Sequence, residues 1–117
     1  MTSGAAWRHW SEPRVRRWLE ARGWRTLDAN VAVRGGELDL VMDDGESIVF
    51  VEVRQRRGDE RGGPAASVDE RKRARLRRAA AVWLAARGLH EARVRFDVVA
   101  VRGDEGNARV RRIRDAL

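Results

Sequence analysis

The segment Ile48-Val49-Phe50-Val51-Glu52-Val53-Arg54 constrains the fold more than any other part of the chain. Its first four residues are all apolar, so neither side of a strand built from them is left for water. It reads as a central strand covered on both faces. Asp43-Asp44-Gly45, just before it, is a hairpin signal, which makes Glu37 to Met42 its antiparallel neighbour. A sheet buried on both sides needs helices above and below, and two segments supply them. Between about Ala5 and Arg22, Val15, Trp18 and Leu19 recur at helical spacing before the stop at Gly23; the helix starts at Ser11 or kinks at Pro13. After the glycine-rich stretch Arg57 to Ala66, Ser67 and Glu70 match a capping box, and a helix follows to about Arg87, with Gly88 as its stop. Trp24 to Asn30, Arg93 to Val101 and Ala108 to Ile113 supply further strands, the last an edge strand because of its arginines. The predicted order is α-β-β-β-α-β-β, an α/β chain with a mixed central sheet. Residues 1–10 form a poorly defined segment and residues 11–117 one domain, as the length of 117 residues suits.

Carboxylates interrupt this apolar frame. Alternation places Glu37 and Asp39 on one face of their strand, and Glu52 and Arg54 on one face of theirs. Counted from the Asp43-Asp44-Gly45 turn, Asp39 and Glu52 come to facing positions. A carboxylate in such a run is costly unless it is paired, hydrogen-bonded or bound to a metal. Apart from solvent-facing charge in a slipped register, two readings stay open. One is a buried salt bridge of Asp39 or Glu52 with Arg54. The other is a Mg²⁺ or Mn²⁺ site for phosphodiester hydrolysis, in which hard oxygens hold the ion and the ion activates water. On the second helix, Lys72 falls on the inward stripe with Leu76, Ala79 and Trp83. It either snorkels outward or reaches the carboxylates.

Charge points to the partner class. There are 25 basic against 18 acidic side chains, a net charge of +7, and every basic residue except Lys72 is arginine. Such a balance favours DNA, RNA or an acidic protein surface. Arg71, Arg75 and Arg78 on the helix, with Arg56 and Arg57 before the glycine-rich stretch, form an expected phosphate-contacting face. A third basic cluster runs from Arg109 to Arg114. The chain has no cysteine, which excludes disulfides, thiol nucleophiles and iron–sulfur clusters. No run of apolar residues is long enough to span a membrane, and the first ten residues are too polar for a signal peptide, so a cytoplasmic location is expected. His9 and His90 fit no metal-ligand spacing. Asp97, between Phe96 and Val98, reads as a structural acceptor for backbone or arginine donors.

Four ordered blocks, Gly36-Glu37-Leu38-Asp39-Leu40-Val41, Phe50-Val51-Glu52-Val53-Arg54-Gln55-Arg56, Val68-Asp69-x-x-Lys72 and Arg95-Phe96-Asp97, resemble the YraN-like uncharacterised protein family. The resemblance runs from about Ser11 to Val101. It implies a restriction-endonuclease-like core related to Holliday-junction resolvases, and a metal-dependent nuclease acting on branched or structured DNA. Position by position, Asp39 matches the metal-binding aspartate, Glu52 the glutamate and Arg54 the place usually held by lysine. Glu12 matches an acidic residue of the first helix that resolvase-like enzymes use as a further ligand, and a family lysine matches Lys72. The expected ligand set is Asp39 and Glu52, with Glu12 or Glu37 as auxiliary groups and the Val53 backbone carbonyl. Arg54 departs from the pattern, because arginine stays protonated and cannot act as a base. The alternative is therefore a non-catalytic nucleic-acid-binding protein that keeps the nuclease fold. A two-fold junction substrate would suit a homodimer.

Overall fold

The apolar segment becomes the middle strand of a five-stranded sheet. The structure is a computed structural model, and it describes residues 7, 9–56 and 69–117. Along the chain come α1 (Ser11–Glu20), β1 (Arg25–Val33), β2 (Gly36–Asp43), β3 (Ile48–Arg56), α2 (Glu70–Ala86), β4 (Val94–Arg102) and β5 (Arg109–Ile113). The strands lie in the order β1-β2-β3-β4-β5. β1, β2 and β3 pair antiparallel through short turns. β4 returns parallel to β3 after the α2 crossover, and β5 closes the far edge antiparallel to β4. The sheet is therefore mixed, with the α-β-β-β-α-β order of a restriction-endonuclease-like core and one extra C-terminal strand.

Alternation along β3 sends its apolar residues to both sides, and a helix covers each side. Val49 and Val51 pack with Val15 and Leu19 of α1, together with Leu40, Met42, Val99 and Val101. Phe50 packs on the other face with Ala79, Ala80 and Trp83 of α2, together with Val31, Leu38 and Val41. Trp83 is 1% exposed and meets Phe50 edge to face at 5.8 Å between centroids. Such a pair adds about 1 kcal/mol beyond the area it buries.

Polar groups tie the helices and strand ends to this frame. The Trp83 indole Nε1 donates to Asp28 Oδ2 at 3.0 Å, and the Arg87 guanidinium reaches the same oxygen at 2.9 Å. This clamp joins the C-terminal half of α2 to β1, beside the register shift between Thr26 and Asp28. Asp97, fully buried, accepts from Arg95, Arg112 and the Asp115 backbone N–H. It is the structural acceptor expected from its setting.

Some boundaries differ from expectation. β1 runs on to Val33, because Arg34 and Gly35 make the turn and Val33 pairs directly with Gly36. The α2 cap is Asp69, whose side chain accepts the Lys72 N–H, so Glu70 opens the helix, where the capping-box spacing puts it three residues in. Aspartate is as good a cap as serine, and it stands two residues nearer the apolar stripe. Ser67 itself, Arg57 and the glycine-rich stretch lie outside the described residues. Among the described residues, no helix is long and apolar enough to cross a membrane.

Candidate active site

The site forms where β2 and β3 part. Their ladder runs from Asp43↔Ile48 to Leu40↔Val51. One step further would set Asp39 across from Glu52, but backbone pairing ends there. The Val53 N–H is taken instead by Asp39 Oδ2, at 2.9 Å. A side chain thus replaces a carbonyl as ladder partner, which satisfies the donor while letting the strands diverge. The alternation of β2 breaks at the same place, since Leu38 packs with the α2-side cluster and Leu40 with the α1-side cluster.

α2 roofs the resulting gap. Its approach to β2 is close at Gly36, where an added Cβ would lie 3.5 Å from the Ala79 Cβ. The gap is a pocket of about 190 Å³ lined by Gly36, Glu37, Asp39, Glu52, Lys72, Arg75 and Leu76. Lys72 lies one turn before the apolar stripe of α2, and its Nζ is 3.1 Å from Glu52 Oε1. Arg54 approaches the same oxygen at 3.5 Å. Glu52 is 6% exposed. Burial first, and then repulsion by Asp39, push its carboxyl up to about 7, against the pull of Lys72 and Arg54. Two carboxylates and two cations therefore compete within a few ångströms.

The sequence-derived residues divide on this geometry. Asp39, Glu52, Lys72 and Arg75 meet in the pocket, with Glu37 exposed at its rim. Arg54 reaches Glu52 without lining the pocket. Glu12 does not join them; it is buried in the first turn of α1, the helix packed on the other face of the sheet. Arg71 and Arg78 are exposed in line with Arg75, since positions i, i+4 and i+7 share a helix stripe. Arg56 is 7% exposed, so it does not stand out as the surface phosphate contact expected of it. Its strand ends there, and alternation points it at the covered face. Val53 enters through its N–H to Asp39, where a carbonyl ligand was expected. The role of Gly36 and Leu76 in shaping the walls was not read from sequence; a glycine before Glu37 was the one available sign.

Among the described residues, no three His, Cys, Asp or Glu side chains converge as metal ligands. The oxygen pair fits a hard ion all the same, because Mg²⁺ is commonly held by one or two carboxylates, with waters and substrate phosphates completing its shell. Burial and then repulsion by Asp39 raise Glu52, and a cation between the two carboxylates would relieve the repulsion.

Comparison with known proteins adds a family. The model of the Uncharacterised protein family UPF0102 matches residues 11–101. A UPF0102 protein of Serratia proteamaculans (strain 568) is 55% identical over 96 residues, covering 80% of this chain and 82% of that protein. UPF0102 proteins of Yersinia pseudotuberculosis serotype O:1b (strain IP 31758) and of Yersinia pestis bv. Antiqua (strain Angola) are each 57% identical over 93 residues, covering 78% of this chain and 80% of those proteins.

Proposed function

The chain belongs to the uncharacterised protein family UPF0102, and from that membership and the pocket geometry we propose that it is a metal-dependent nuclease acting on structured or branched DNA. One observation carries the reading: Asp39, Glu52 and Lys72 meet in a single pocket beside an arginine-bearing helix stripe. Asp39 and Glu52 would hold Mg²⁺ or Mn²⁺. The bound ion would supply positive charge against the phosphoryl oxygens and make a nearby water more acidic.

The remaining roles follow from the chemistry of the side chains. The Val53 N–H fixes the rotamer of Asp39. Arg54 holds the scissile phosphate, since a guanidinium stays charged and binds anions well but takes no proton. Lys72 orients the attacking water or neutralises the developing charge, from a helix start that already points its ammonium at Glu52. Arg71, Arg75 and Arg78 hold the flanking backbone without reading sequence.

The test is cleavage of four-way-junction, single-stranded and duplex DNA, and of RNA, with Mg²⁺, Mn²⁺ or EDTA. Cutting is expected with either metal and not with EDTA. Glu52→Gln should abolish it while leaving most of the DNA affinity. A second reading is favoured by one specific feature: Lys72 and Arg54 already neutralise Glu52. On that reading the protein binds nucleic acid without cutting it. Absence of cleavage under every condition, with no rescue by Arg54→Lys, would decide for the second reading.

A further inference from the structure

β1 and β2 change face at the same place, and the change is centred on the aspartate of the pocket. In a plain strand, residues three apart lie on opposite faces. On β2, Leu38 and Val41 are three apart, yet both pack in the α2-side cluster. On β1, Asp28 and Val31 are three apart as well. Val31 belongs to that cluster, and Asp28 takes the Trp83 indole N–H from α2. The register pairs Asp28 with Val41 and Val31 with Leu38. The other face shows the same switch, since Ala29 and Leu40 are partners and both pack on the α1 side. Between Ala29↔Leu40 and Val31↔Leu38 the register leaves one position, which sets Asn30 across from Asp39.

The backbone at Asn30 produces the switch in β1. Its φ is +50°, in the left-handed region. One such residue turns the chain so that its two neighbours, here Ala29 and Val31, no longer share a face. Among the described residues, the one other non-glycine at positive φ is Asp115, beyond the end of β5. A Cβ makes this region strained, most for a β-branched residue and least for asparagine or aspartate. The residue type therefore fits the conformation. A switch in β2 alone would set partners on one side of it facing opposite ways, as a one-residue slip does. Asp39 can break the alternation of β2 because Asn30 breaks that of β1 in step.

We propose that Asn30 is a positioning residue for the carboxylate pocket. Its left-handed backbone sets the face switch at Asp39. That switch swings the Asp39 carboxylate toward β3, where it takes the Val53 N–H at 2.9 Å and lines the pocket with Glu52 and Lys72. Asn30 acts through the path of its strand and not by touching what the pocket holds. For Mg²⁺ affinity the inference rests on the metal reading above; for the aim of Asp39 it does not.

Substitutions that differ in their tolerance of positive φ test it. Asn30→Gly, Asn30→Ala and Asn30→Val are compared with wild type, and Asp39→Ala marks complete loss of the bond to Val53. The first readout is amide hydrogen exchange of Val53 by NMR. It is taken relative to Ile48, whose N–H is held by the Arg93 carbonyl at 2.8 Å at the start of the same strand. A global loss of stability speeds both amides, whereas a lost aim speeds Val53 alone. Glycine enters the left-handed region without strain, so Asn30→Gly should keep the wild-type ratio within about twofold. Asn30→Val should raise the ratio about tenfold, toward that of Asp39→Ala, with Asn30→Ala in between. If Asn30→Val does not fold, Asn30→Ala must still exceed Asn30→Gly by about threefold. The second readout is Mg²⁺ affinity by calorimetry, which should fall in the same order and roughly tenfold in Asn30→Val. An unchanged ratio in folded Asn30→Val and Asn30→Ala would overturn the proposal. So would an Asn30→Gly that behaves as Asn30→Val, since the side chain and not the backbone would then matter. If the ratios follow the expected order while wild type takes up no Mg²⁺, the metal reading falls and the aiming of Asp39 by Asn30 stands.

Discussion

Glu52 carries a cost that the fold accepts. Its carboxyl is pushed up from an ordinary 4.5 to about 7, by burial and then by Asp39. Between those values the folded chain keeps a proton that the unfolded chain has released. Stability from this group is therefore fully present below about 4.5 and is lost as the pH rises through 7. The loss is at most roughly 3 kcal/mol. In EDTA, the wild-type melting temperature should fall between pH 5 and pH 8 more than that of Glu52→Gln, which has no proton to lose. Parallel profiles for the two proteins would place the strain elsewhere. Lys72, on the same oxygen, should matter to turnover more than to affinity. Lys72→Ala is expected to slow cleavage on the order of 100-fold, as the loss of one charge-stabilising donor does, with DNA affinity nearly unchanged. Arg54→Lys should keep or raise the rate, and a dead Arg54→Lys enzyme would show that the position serves only as an ion-pair partner.

α2 is held at both ends, by Lys72 on Glu52 and by Trp83 and Arg87 on Asp28. Removing the second hold with Asp28→Ala leaves the buried Trp83 indole N–H without its acceptor and takes a charged partner from Arg87. The expected cost is about 3 kcal/mol by urea unfolding; a change under about 0.5 kcal/mol would mean the clamp is dispensable. This clamp was not legible in the sequence, because its partners are 55 and 59 residues apart and Asp28 lies in an unremarkable strand. The central strand was legible, since a run apolar at every position has few places to go, and so was the facing of Asp39 and Glu52, fixed by one short turn. The inward place of Lys72 was legible from helical angle, but its choice between solvent and the carboxylates was not. Glu12 was not legible as an absentee from the pocket: its helix covers the other face, and spacing within a helix does not say which side of a sheet it will take. The cap at Asp69 was missed because Ser67 and Glu70 satisfied a local pattern equally well.

At the scale of the whole molecule, charge is sorted by surface. The net +7 includes an exposed stripe on α2 and exposed arginines on β4 and β5, with the acidic pocket beside the stripe. DNA affinity should fall steeply with salt, and reversal at Arg75 and Arg78 should weaken it for all sequences alike. Unchanged affinity in that variant would remove the helix from the interface. The contact of Lys72 with Glu52 has one more consequence, for spectroscopy. Lys72 is the only lysine in the chain, so reductive methylation with ¹³C-formaldehyde labels, besides the α-amine, one side-chain amine, and that one lines the pocket. The Lys72 methyl resonance, the one that disappears in Lys72→Arg, then reports directly on what shares that carboxylate: it should move on addition of Mg²⁺ to wild type and stay in place in Asp39→Ala.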